Sequence, residues 1–173
     1  MYVIAATAQL LVAASFLSIP ALRHRFGAST AKANAEAELT RQGFPTTVLA
    51  ENKLTFDASG HETAVPATVA ALMIIAAAFN LIDPHWGQLL TWVFSSLILL
   101  GNALILWSQL TAVQSVEKAF QRKGDPTLQR IDVRALLKAA ESGFPTWTPT
   151  LQKARHTTVF AASLIALLTV TFA

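Results

Sequence analysis

Four histidines carry most of the chain's capacity for acid–base or metal chemistry: His24, His61, His85 and His156. No two of them stand four apart and none sits in an HExxH frame, so no single helix presents a ligand pair. The chain has no cysteine, which excludes thiolate metal sites, disulfides and cysteine nucleophiles. Ser95 and Ser96 have no GxSxG context and no histidine or aspartate at their predicted depth. Phosphate cradles of the GxxxxGK[ST] or GxGxxG kind are absent. These patterns predict no enzyme, no cofactor and no metal, with titrating histidines at span ends or in turns.

The elements that would position these residues belong in a membrane. Of 173 residues, 53% are hydrophobic and only 13% charged, where a soluble domain carries about a quarter. The apolar residues form blocks near the roughly 20 residues that cross a bilayer. Four spans are expected, at about 2–22, 64–82, 88–107 and 157–173. With these boundaries no Asp, Glu, Lys, Arg or His lies inside a span. The first span has its basic residues, Arg23 and Arg25, after the apolar run, opposite to a cleaved signal. It reads as an uncleaved anchor.

All thirteen Lys and Arg residues fall in the loops at about 23–63 and 108–156, and none in the turn Asp83 to Gly87 or at either terminus. The positive-inside rule then places both loops in the cytoplasm and both termini outside. His61-Glu62 and Asp83/His85 are thereby expected on opposite faces of the membrane and cannot share a metal. Trp86, Trp92, Trp107 and Trp147 lie near the predicted interfaces, where an apolar ring with one N–H is favoured. The net charge of +3 comes without stacking aromatics or a nucleic-acid motif. Anionic lipid headgroups at the cytoplasmic face, and not nucleic acid, are the expected electrostatic partner.

Within the loops, residues 29–42 read as a helix with a weak apolar face, and 46–60 as an extended segment or small hairpin. Residues 108–123 continue span three as a helix, stopped by Gly124 ahead of Asp125-Pro126. A second helix starts at an Asp132 N-cap, with Val133, Leu136, Leu137 and Ala140 on one face. That face is a candidate for packing on the chain's own helices, on a partner or at the headgroup layer. Thr148-Pro149 reads as an N-cap with proline at N1, and the helix then runs through Leu151, Lys153, Ala154 and Arg155 into span four.

Two features remain. Gly101 and Asn102 in mid-span three are candidates for helix packing, glycine by permitting close approach and asparagine by hydrogen bonding across it. Gly-Phe-Pro-Thr occurs at Gly43, Phe44, Pro45 and Thr46 and again, one hundred residues on, at Gly143, Phe144, Pro145 and Thr146. Each copy reads as a helix stop: a left-handed Gly, a Phe packing back, a Pro barring continuation. Each comes after a predicted helix and before a span, which suggests a repeated hairpin with an axis along the membrane normal. Against it, span two begins about 18 residues after Thr46 and span four about 10 after Thr146.

The expected architecture is an all-α integral membrane protein: four transmembrane helices, N-out and C-out, with two helical cytoplasmic loops. In span plan it resembles the LucA/LucB-type accessory proteins of actinobacterial Mce lipid importers. The resemblance implies a partner-binding subunit of a larger complex in a bacterial plasma membrane. A small homo-oligomeric transporter or channel, with the polar residues of span three facing a pore, is the alternative.

Overall fold

The computed structural model describes residues 1–26, 28–56 and 60–173. Positions 57–59 of the expected extended segment, and the side chains of His61 and Glu62, lie outside the described residues. Among the described residues the chain is helical and without strands: α1 (Tyr2–Phe26), α2 (Ala28–Arg41), α3 (Thr47–Glu51), α4 (Gly60–Ile82), α5 (Pro84–Leu110), α6 (Ala112–Lys123), α7 (Pro126–Gln129), α8 (Val133–Glu141) and α9 (Thr148–Thr171). Four of these are long and apolar enough to cross a membrane: Tyr2–Phe26, Thr63–Ile82, Pro84–Leu110 and Thr148–Thr171.

The chain divides into two compact units. The first comprises Met1–Leu22, Ser59–Leu106 and Pro149–Ala173, the spanning helices. Its interior is built from small residues, among them Ala5, Ala8, Ala13, Ala70, Ala162 and Ala166, with Val12, Phe16 and Met73. Its exterior is the bulkier side: Leu10, Leu11, Ile74, Leu97, Leu100, Leu104, Leu164 and Leu168 are all exposed. Lipid solvates large aliphatic groups as well as a protein interior does, so burying them gains little. Small residues instead let helix backbones approach for dispersion contact and hydrogen bonding.

The second unit comprises Arg23–Ala58 and Trp107–Thr148, the two long loops. It has a separate core of Ala35, Leu39, Val48, Leu49, Phe120, Leu128, Ile131, Val133, Leu136 and Ala140. Its centre is the packing of α2 on α8. Asn34 Nδ2 donates to Ser142 Oγ at one end, and at the other Asp132 N–H donates to Gln42 Oε1 (2.8 Å). Rising residue numbers on α2 thus meet falling numbers on α8, so the pair is antiparallel. The apolar face of α2, weak by composition, consists of Ala31, Ala35 and Leu39, all fully buried. Alanines make it a close-contact face.

Several local expectations change. The segment from Thr47 is a helical turn, α3, with Val48 and Leu49 buried. Leu54 N–H bonds Leu49 O and Lys53 N–H bonds Ala50 O, with Lys53 at φ 55°. That is a Schellman stop with lysine in the left-handed position, and not a hairpin. The helix leaving span three breaks at Thr111 before resuming as α6. Asp132 caps α8 through Ala135 N–H, and Gly124 ends α6 at φ 68°. Thr148 Oγ1 has no hydrogen-bond partner, so the side-chain cap expected at α9 is not formed.

The two Gly-Phe-Pro-Thr copies differ in conformation. Gly43 has φ 83°, Phe44 N–H bonds Leu39 O and Gly43 N–H bonds Thr40 O, which is a Schellman motif. At Gly143 the φ is not left-handed, and Phe144 N–H bonds Glu141 O three residues back. The left-handed reading of Gly143 is therefore corrected. That residue is glycine for another reason: a Cβ there would lie 2.6 Å from the Ala31 backbone of α2. The copies share the Gly N–H bonded three residues back, to Thr40 O and Ala140 O, and the turn after the proline, with Pro45 O accepting from Val48 N–H and Pro145 O from Thr148 N–H.

Candidate functional site

Two polar clusters lie inside the spanning unit. The first joins α1, α4 and α5 through Gln9, Asn80 and Thr91, each at most 1% exposed. Asn80 Nδ2 donates to Gln9 Oε1 (2.9 Å) and to Thr91 Oγ1 (2.8 Å), and Gln9 Nε2 also donates to Thr91 Oγ1 (2.8 Å). Thr91 in turn donates to Gly87 O. The hydroxyl accepts twice and donates once, its full capacity. Gly87 makes the cluster possible, because a Cβ there would lie 2.6 Å from Asn80 Cα. Asp83 Oδ1 accepts from His85 and Trp86 N–H groups, capping α5 immediately beyond the turn from α4.

The second cluster is Asn102 on α5 with Arg155 and His156 on α9, all buried. His156 Nδ1 lies 2.8 Å from Asn102 Oδ1, and Asn102 Nδ2 faces His156 O at 3.5 Å. An amide oxygen only accepts, so the proton of this bond is on Nδ1. Arg155 Nη2 lies 3.1 Å from Nε2 and 3.3 Å from Nδ1. Near-equal distances to both ring nitrogens place the guanidinium over the imidazole face and not on a lone pair. Its Cζ is also 5.7 Å from the Phe16 ring centroid. The cation is thus held between two rings, while Arg155 Nε has no acceptor. Among the described residues the one ion pair is Arg41–Glu38, in the other unit.

The arginine and histidine of this cluster lie just before the expected fourth span, on the same helix. Helix α9 runs from Thr148, the start expected from Thr148-Pro149, through Arg155 and His156, and both of these side chains are buried. His156 stands at the expected span end, on α9. His85 is exposed beside Trp86, and His24 is exposed on the last turns of α1. Among the described residues no three His, Asp or Glu side chains gather as a metal site.

Asn102 is fully buried and bonds across to α9. Gly101 has nothing within 4 Å of where a Cβ would stand, so no described helix of this chain approaches there. It lines an apolar cavity of about 260 Å³ with Phe16, Val65, Val69, Phe94 and Asn102 among its walls. On α8, Val133 and Leu136 are buried in the chain's own core and Leu137 is half-buried against it. Gln9 and Asn80 are visible in the sequence as polar residues inside spans. Thr91 and Gly87 carry no such signal, and the helix expected at Arg155 says nothing of its burial.

Compared with known proteins, no family model matches this chain, and no curated protein or solved structure does either.

Proposed function

We propose that this chain is a non-enzymatic accessory subunit that stabilises a larger membrane complex. The observation that carries the reading is the use made of its buried polar groups. Gln9, Asn80 and Thr91 tie three helices together, and Asn102 ties α5 to α9 through His156. Groups engaged in helix association are structural, and the lipid-sized exterior is left for neighbours. The thirteen Lys and Arg residues on one side of the span plan favour a bacterial plasma membrane with both long loops cytoplasmic and both termini outside. There the basic loops meet anionic headgroups. The span plan's resemblance to LucA/LucB-type proteins suggests a lipid importer of the Mce kind as the complex.

The test is purification from the source membrane in mild detergent. Stoichiometric recovery with a larger complex is expected. A stable homo-oligomer of this chain that conducts ions in liposomes would overturn the proposal.

One observation favours the second reading, a homo-oligomeric transporter or channel. Arg155 and His156 are buried in a spanning helix, and intramembrane ionisable groups commonly mark transport pathways. Liposome flux assays on wild type and Arg155→Gln separate the two. Flux that requires Arg155 supports transport, and no flux in either supports the accessory role.

A further inference from the structure

Arg155 is 8% exposed, and among the described residues its neighbours within the unit supply it with no negative charge. Its contacts are the imidazole of His156 and the ring of Phe16, and its Nε–H donates to nothing. A buried cation without an anion among the described residues is costly, and a lipid phosphate would offset that cost. Helix α9 continues from Arg155 to Thr171, a rise of roughly 24 Å at 1.5 Å per residue. Against a hydrocarbon core of about 30 Å, Arg155 then sits near one boundary of the bilayer, within reach of the phosphate layer.

The apolar cavity of about 260 Å³ is lined by two residues that also touch the Arg155–His156 pair. Phe16 lines it and also lies beneath the guanidinium, and Asn102 lines it and also holds His156. Its walls run along α4 from Val65 to Leu72 and along α5 from Phe94 to Ile105, roughly 10 and 16 Å of helix. The wall is open at Gly101, which meets no neighbour. An apolar space that shares Phe16 and Asn102 with the surroundings of a cation lacking an anion among the described residues matches one acyl chain bearing an anionic head.

We propose that the groove between α4 and α5 holds an acyl chain of an anionic membrane phospholipid whose phosphate is countered by Arg155. Guanidinium and phosphate match in charge and in paired donor geometry. A zwitterionic lipid carries its own ammonium, so it gains less from the arginine.

Native mass spectrometry of the full chain in detergent, with added phosphatidylglycerol or phosphatidylcholine, tests this on the isolated protein. The result is therefore independent of any partner complex. Wild type should retain one phosphatidylglycerol about ten-fold more than phosphatidylcholine. Arg155→Gln should abolish the preference and Arg155→Lys should keep part of it. Gly101→Leu, which fills the groove without touching the charge, should lose both lipids. Should Arg155→Gln not fold, the Lys and Leu variants carry the test. Equal retention of the two lipids by wild type would overturn the proposal. So would a preference unchanged in Gly101→Leu, displacement of phosphatidylglycerol by equimolar palmitate, or a lipid-free dimer.

Discussion

Asn102 and Glu38 show how single side chains set local stability in two different solvents. Asn102 Oδ1 is an acceptor for a buried histidine, so Asn102→Leu removes that bond from His156 Nδ1. A buried donor deprived of its acceptor costs about 1–3 kcal/mol. The expected outcome is a lowered unfolding midpoint in detergent, with Gly101→Ala next to it unchanged because its Cβ meets nothing. Equal behaviour of the two variants would refute the role given to Asn102. Glu38, in the loop unit, accepts from Arg41 Nε and Nη2 and from Gln42 Nε2. These bonds, Arg41 first, lower its pKa from 4.5 to about 2. The folded state thus holds the proton less tightly than the unfolded state. The resulting stabilisation is complete above pH about 4.5 and is lost as pH falls through about 2. Carboxyl NMR should find the Glu38 midpoint near 2, moving upward in Arg41→Gln; a wild-type midpoint near 4.5 would refute the assignment.

Helices explain both what is legible in the sequence and what is not. Hydropathy alone locates four spans, because a membrane demands long apolar runs. The start of α9 is legible in Thr148-Pro149, whereas the burial of Arg155 and His156 is not, because it depends on Phe16 and Asn102, far away in sequence. The same blindness hides the difference between Gly101 and Gly87. Both are small residues in α5, but only Gly87 faces another backbone, at Asn80. The paired Gly-Phe-Pro-Thr segments open this difference to experiment. Gly43 is needed for its φ of 83°, a region asparagine also tolerates. Gly143 is needed for lack of a Cβ, since the Ala31 backbone is 2.6 Å from that position. Gly43→Asn should therefore cost under about 1 kcal/mol, and Gly143→Asn should cost about 2 kcal/mol or more by forcing α2 from α8. Thermal unfolding of the two variants checks this, and similar losses would mean that one conformation serves both copies.

At the scale of the whole molecule the decisive quantity is the distribution of charge over two compact units. The loop unit contains every Lys and Arg except Lys153 and Arg155. The spanning unit keeps two buried polar clusters and surrounds them with aliphatic side chains. The proposed orientation, with both basic loops cytoplasmic, rests on the cost of translocating them against the insertion bias. That orientation comes from sequence charge; helices by themselves have no preferred side. The absence of native cysteine makes the question directly measurable. His85→Cys, exposed at the start of α5, should react with a membrane-impermeant maleimide in intact cells. Lys118→Cys, exposed on α6, should react only after permeabilisation. The reverse pattern would invert the protein and turn Arg155 and its proposed lipid site toward the outer leaflet. It would also take the helical loop unit away from any partner on the cytoplasmic side.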